Sequence, residues 1–167
     1  TFRHFIGGQQ AGMADFTALF APNVNSYQRL CHPYASPNNA CWSHDNRAAG
    51  LRIPASSPVA RRVENRLPGA DANPYLAIAA SLAAGLHGIE NQLEPTPAIQ
   101  GEFEVPEALS LPCTLHAALE RLKRSHLAKE LFGKEFIEGY IASKTMELTS
   151  FFDEITPWER RVLAAQA

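Results

Sequence analysis

The sequence predicts an α+β fold in which short antiparallel strands are backed by helices. Three observations predict it. Residues 40–67 hold three short strand-like runs, Ala40–Ser43, Gly50–Ile53 and Arg61–Leu67, and Pro54 and Pro58 separate the last two. Residues 73–92 form an Ala-rich apolar stretch with a helical start signal. Further on, Leu115, Leu119 and Leu122 recur at the spacing of one helix face.

Taken in order, Gly7-Gly8 reads as a turn leading into a mostly apolar helix that ends at Phe20. Residues 21–39 read as a loop, because Pro22, Asn23, Asn25, Ser26, Pro33 and Pro37 punctuate them. In the 73–92 helix, Asn73 can cap the first turn, and Pro74 fits where no N–H is needed. Leu76, Ile78, Leu82, Leu86 and Ile89 spread around this helix, which predicts deep burial. Residues 93–112, with four prolines, form a linker. A helix of about three turns follows around Leu115 to Leu122, and another runs from Lys134 to Phe152. Thr156-Pro157-Trp158-Glu159 is a capping box opening a last short helix.

The 167 residues are 46% hydrophobic and 19% charged, which excludes a disordered tail, a collagen-like repeat and a small disulfide scaffold. The net charge of −2 argues against nucleic acid as a partner. The charge is unevenly spread. Residues 1–66 carry seven Arg, no Lys and three acids, a net +4; residues 67–167 carry eight basic and fourteen acidic residues, a net −6. Arg presents a rigid two-pronged donor to carboxylate and phosphate, so the first part of the chain reads as an anion site.

No signal-peptide pattern and no run of 18 apolar residues occurs, so no membrane association is expected and the expected location is cytoplasmic. Cys31, Cys41 and Cys113 have no paired spacing, which points to reduced thiols that act as small buried apolar residues. Ser43-His44-Asp45 holds hydrolase residue types, but neighbours in sequence do not make a triad.

The segment Arg61-Arg62-Val63-Glu64-Asn65-Arg66 is the most informative. In a strand, Arg62, Glu64 and Arg66 share one face, and Val63 and Asn65 take the other. That face is either an ion-pair ladder or an anion site in which Glu64 holds a divalent metal between arginine clamps. With Arg29, Arg47 and Arg52 converging on it, the second reading gains weight, because buried like charges without an anion are costly.

Five linked blocks carry a resemblance: Asn25-Ser26-Tyr27-Gln28-Arg29-Leu30; Asn46-Arg47; Leu51-Arg52-Ile53-Pro54; Ala60 to Leu67; and Asp71-Ala72-Asn73-Pro74-Tyr75-Leu76. In order and spacing they resemble the C-terminal signature of the glutamine synthetase superfamily across about residues 5–92, and residues 93–167 resemble the family's closing helices more loosely. The resemblance implies an ATP-dependent ligase, in which glutamate's γ-carboxylate takes the γ-phosphate of ATP and an amine then displaces phosphate. It implies that Arg29 and Arg66 bind glutamate and that Arg47 and Arg66 stabilise the transferred group. Arg47, Arg52 and Arg62 would hold nucleotide phosphates, and Glu64 would ligate Mg²⁺ or Mn²⁺. It also implies a homo-oligomeric ring, and that residues 1–167 are part of a longer catalytic domain. Residues 1–92 would supply active-site strands, loops and a buried helix, and residues 93–167 the linker and C-terminal helices.

Two departures refine this. Ammonia-using members carry a glutamate in the stretch after the first block; here it is His32-Pro33-Tyr34-Ala35-Ser36-Pro37, with Ala35 at that place. Alanine cannot bind ammonium or take its proton. This points to relatives that join glutamate to polyamines such as putrescine, which resemble this chain in that segment and at Trp158-Glu159-Arg160. His32 is a candidate for the substrate mouth. Phe103 stands where adenylylated members resemble this loop with a tyrosine, so no adenylylation is expected there. The alternatives are an ammonia-using glutamine synthetase and a non-catalytic remnant that binds anions or partners.

Overall fold

The computed structural model describes residues 1–31, 36–164 and 166. Eight α-helices and three short strands are described: α1 Phe2–Met13, α2 Thr17–Phe20, α3 Val24–Leu30, β1 Trp42–His44, β2 Leu51–Ile53, β3 Glu64–Asn65, α4 Pro74–Glu90, α5 Leu115–Arg124, α6 His126–Phe132, α7 Lys134–Asp153 and α8 Pro157–Leu163. The α+β class is as the sequence predicts. The sheet order is β1-β2-β3, and the strands are mixed rather than all antiparallel. β1 runs parallel to β2, with Ser43 opposite Arg52; β3 runs antiparallel to β2, with Arg52 opposite Glu64.

Gly7 and Gly8 are not a turn. They lie inside α1, which packs along α4. A Cβ on Gly8 would sit 2.1 Å from the Ala84 carbonyl oxygen and 2.6 Å from Gly88 Cα. Backbone meets backbone here, and only glycine permits that approach. This contact also explains the inversion of α4. Its buried residues are Ala77, Ala80, Ala84, Gly85 and Gly88. The large residues predicted to be deeply buried, Ile78, Leu82 and Leu86, are half exposed or more. Small side chains are selected where two helices almost touch, so α4 turns its bulk outward. Its start is as read: the Asn73 side chain accepts from the Tyr75 and Leu76 N–H groups.

Residues 24–30, read as loop, are helical. Asn23 and Ser26 form a capping box, so the polar residues that suggested a loop in fact start a helix. α6, which the sequence reading also missed, begins at Ser125, whose side chain accepts from Ala128 N–H. In α5, Leu115, Leu119 and Leu122 are buried as predicted, each contributing about 1.5–3 kcal/mol. The Thr156–Glu159 capping box is present in both directions. The core is one cluster reaching from Ile6 in α1 through Leu51 and Leu67 to Ile137 and Leu148 in α7.

The linker runs along the free edge of β1. Ile99 N–H donates to Trp42 O at 3.0 Å, Trp42 Nε1 to Thr96 O at 2.6 Å, and Ser43 Oγ to Ile99 O at 2.6 Å. Gln10, buried in α1, donates to Ala40 O and accepts from Thr96 N–H. These bonds deliver Phe103 and Val105 to the arginine side of the molecule. They also give Ser43 a structural partner and leave no triad with His44 and Asp45.

Candidate active site

The strand alternation places the site. Val63 packs against the core and Asn65 donates to Ser81 of α4, while Glu64 turns to the other face. There Arg52 Nη1 donates to Glu64 Oε2 at 2.9 Å, and Arg62 Nη2 lies 3.7 Å from Glu64 Oε1. Arg52 Nη2 also pairs with Asp45, a residue the sequence reading did not single out as part of the site. Asp45 follows β1 in the left-handed region at φ 52°, which Asp tolerates better than most residues, and its carboxylate reaches the neighbouring strand. Glu64 first and Asp45 second hold the Arg52 guanidinium above its usual pKa.

The ladder continues past β3: Arg66 N–H donates to Gly50 O at 2.9 Å. This fixes the Arg66 backbone beside a cleft of about 730 Å³, which Arg66 lines with Arg47, Ser36, Phe103, Cys31 and Cys113. Arg66 Nη1 is buried and finds no hydrogen-bond partner among the described residues. Burial lowers the Arg66 pKa; Glu64 opposes this, and the charges of Arg47, Arg52 and Arg29 lower it further. Of the arginines expected to converge, Arg52 and Arg62 meet at Glu64, and Arg47 and Arg66 line one cleft.

Arg29 is tied down more than the others. Its Nη1 donates to Ser36 Oγ at 2.7 Å and its Nη2 to Leu67 O, while Nε is buried without a partner among the described residues. It therefore braces the backbone beside Arg66. Arg62, by contrast, has a side chain more than half exposed, free to reach outward from Glu64. Asp71 supports this arrangement from the start of α4. Ser26 Oγ and Asn23 Nδ2 donate to its carboxylate, so the capping box of α3 is locked to the segment leading into α4.

Among the described residues no group of three or more His, Cys, Asp or Glu gathers. Glu64 and Asp45 are the acids at the site, and both are engaged by Arg52. His32 and Ala35 lie outside the described residues. Also among the described residues, no helix is long and apolar enough to cross a membrane. The cysteines differ from expectation: Cys41 is buried, but Cys31 and Cys113 are exposed.

A short mixed sheet carries Glu64 on one face, set between Arg52 and Arg62. The profile of the glutamine synthetase catalytic domain matches residues 1–163, and the chain belongs to that family. It is 42% identical to gamma-glutamylethanolamide synthetase of Streptomyces coelicolor over 95% of this chain and 34% of that protein. It is 39% identical to glutamate–isopropylamine ligase of a Pseudomonas species, over 93% of this chain and 35% of that one. It is 38% identical to glutamine synthetase of Thermus thermophilus, over 95% and 37%. The chain thus spans about a third of the length of the curated relatives it matches.

Proposed function

We propose that this chain is the arginine-bearing part of an ATP-dependent ligase that joins the γ-carboxylate of glutamate to an organic amine. The observation that carries this reading is Arg66 Nη1, buried and unpartnered among the described residues, on a residue that lines one cleft with Arg47. A half-buried guanidinium with an unpartnered buried nitrogen, in a cleft shared with another arginine, calls for an anion, and phosphoryl transfer places negative charge on oxygens that such cations stabilise.

In this reading Arg29 and Arg66 bind the glutamate, Arg29 partly by holding Ser36 and Leu67 in place. Arg47 and Arg66 face the transferred phosphoryl group, and Arg52 and Arg62 hold the nucleotide phosphates. The carboxylate oxygen of glutamate attacks the γ-phosphorus, ADP leaves, and the amine nitrogen then displaces phosphate from the acyl carbon. Glu64 is a hard oxygen donor that suits Mg²⁺ or Mn²⁺, and such an ion would neutralise phosphate charge when bound. One carboxylate makes a partial ligand set, so water, substrate oxygens or further chain would complete it.

The names of two relatives, ethanolamide and isopropylamine, are in keeping with an amine other than ammonia, as is Ala35 at the place of the family's flap glutamate. Our reading of the amine is a polyamine such as putrescine, used by a homo-oligomeric ring of the complete protein. A coupled assay of glutamate-dependent ADP release with the complete protein tests this. Turnover with putrescine well above that with ammonium, ethanolamine or isopropylamine is expected. Turnover on ammonium alone would return the protein to the glutamine synthetases, and no glutamate-dependent ADP release with any amine would leave only the anion-binding reading.

A further inference from the structure

We propose that Cys31 and Cys113 form a reversible disulfide at the rim of the arginine cleft, a redox-sensitive site formed by residues 82 positions apart. Cys31 caps the C-terminus of α3, and Cys113 precedes Thr114, the N-cap of α5. Both are exposed, and each lines two clefts: the arginine cleft on one side and an apolar one bounded by Tyr27, Leu148 and Phe151 on the other. The Cys31 thiol donates to the Cys113 carbonyl oxygen at 3.3 Å. That bond sets the Cys31 sulfur beside residue 113, and side-chain rotation is the step that would bring the two sulfurs together.

The surroundings divide the roles. Burial, and then the bond to Cys113, push the Cys31 thiol up to about 11, so at neutral pH it keeps its proton. Cys113 Sγ accepts from Asn38 Nδ2 at 3.0 Å and its thiol donates to Leu111 O at 3.8 Å. A peroxide is the oxidant class that fits two adjacent exposed thiols. The Cys113 sulfur attacks one peroxide oxygen; the S–O bond forms as the O–O bond breaks, and the thiol proton leaves with the second oxygen as water, giving a sulfenic acid. The Cys31 sulfur then attacks the Cys113 sulfur. The S–S bond forms, the S–O bond breaks, and the departing hydroxyl takes the Cys31 proton as a second water. Two electrons pass from the thiol pair to one peroxide, and a dithiol reductant reverses the change. Pairs of this kind in reducing compartments are transient sensors rather than permanent staples. The bond would pin the residue just before positions 32–35 and fix one wall of the cleft that holds Arg47 and Arg66.

The experiment is non-reducing peptide mapping of the complete protein after graded hydrogen peroxide, followed by dithiothreitol. A peptide pair joined through Cys31 and Cys113, lighter by two hydrogens and split again by dithiothreitol, is expected within one chain. Cys31→Ser should lose that pair and trap Cys113 as sulfenic acid. If wild-type Cys31 and Cys113 stay free, oxidise separately to sulfinic acid, or bond only between chains, the proposal is overturned. The wild-type map decides this even if the variant folds poorly, and its result does not depend on the amine or on ligase turnover.

Discussion

Arg52 in β2 stands directly opposite Glu64 in β3, and its guanidinium spans Glu64 on one side and Asp45 on the other. One cation thus sets two carboxylates, one in β3 and one just after β1. Arg52→Lys removes the fork and can satisfy only one of them. In the complete protein, Arg52→Ala should lower glutamate-dependent ATP turnover by roughly 10²-fold, the scale for losing one charge-stabilising donor. Because the two residues act as a unit, Arg52→Ala combined with Glu64→Gln should cost less than the sum of the single changes, as read from melting temperatures and kcat/KM.

The proposed anion role of Arg66 predicts a stability effect. The Arg66 guanidinium is lowered in pKa by burial and by its arginine neighbours, against the opposing pull of Glu64, so the folded state carries a cost that Glu64 offsets only in part. Arg66→Met should raise the melting temperature by roughly 2–4 °C in the absence of anions. Inorganic phosphate at about ten times its Kd should stabilise the unaltered protein by about 1.4 kcal/mol and the variant hardly at all. Calorimetry at constant ionic strength, with and without phosphate, reads both effects. Equal stabilisation of the two proteins by phosphate would contradict the assignment of Arg66 to the anion.

The α1–α4 contact leaves no room at Gly8. Gly8→Ala should destabilise the fold by about 1–3 kcal/mol or more, because the added methyl meets backbone rather than a movable side chain. Gly139 is the control. It lies inside α7 with nothing within 4 Å of an added Cβ, so Gly139→Ala should stabilise by about 0.5–1 kcal/mol through helix propensity alone. Chemical denaturation of the two variants in parallel separates close packing from propensity.

Asp71 predicts an acid limb. Burial pushes its pKa up, but the Ser26 and Asn23 hydrogen bonds and the Arg29 charge more than offset this, so its folded pKa lies below the usual value. Its unfolded carboxyl titrates at about 3.9. The stability it contributes is therefore complete above that pH and is lost as pH falls through the lower folded value. Asp71→Asn should lower the melting temperature at pH 7 and flatten its dependence below about pH 4. A variant whose melting curve keeps the full acid dependence would show that other carboxylates carry it.

Some of this was open to reading and some was not. Alternation about Glu64 sorted Val63 and Asn65 from the arginines without any tertiary information, since a strand allows only two faces. The Asn73-Pro74 and Thr156–Glu159 caps were equally legible, because a cap is satisfied by its own first turn. Asn23 and Ser26 misled, because the same residue types signal loops and helix starts. Gly7, Gly8 and the small residues of α4 misled for a different reason. Their role lies in a partner helix some 80 positions away, and no local pattern states that distance. Asp45 escaped notice because only the pairing of β1 with β2 brings it to Arg52.

The glycine contact has a kinetic consequence. α1 and α4 bracket the chain segment that contains Arg29, Arg47, Arg52, Arg62 and Arg66. Docking Gly8 against Gly88 therefore closes a loop around the whole arginine cluster, and the entropy of that closure is met before the distant contact gives anything back. The site and its scaffold should then form as one late event. Amide protons such as that of Arg66 should exchange with solvent at the rate of the α1–α4 opening, not at the faster rate of a surface loop.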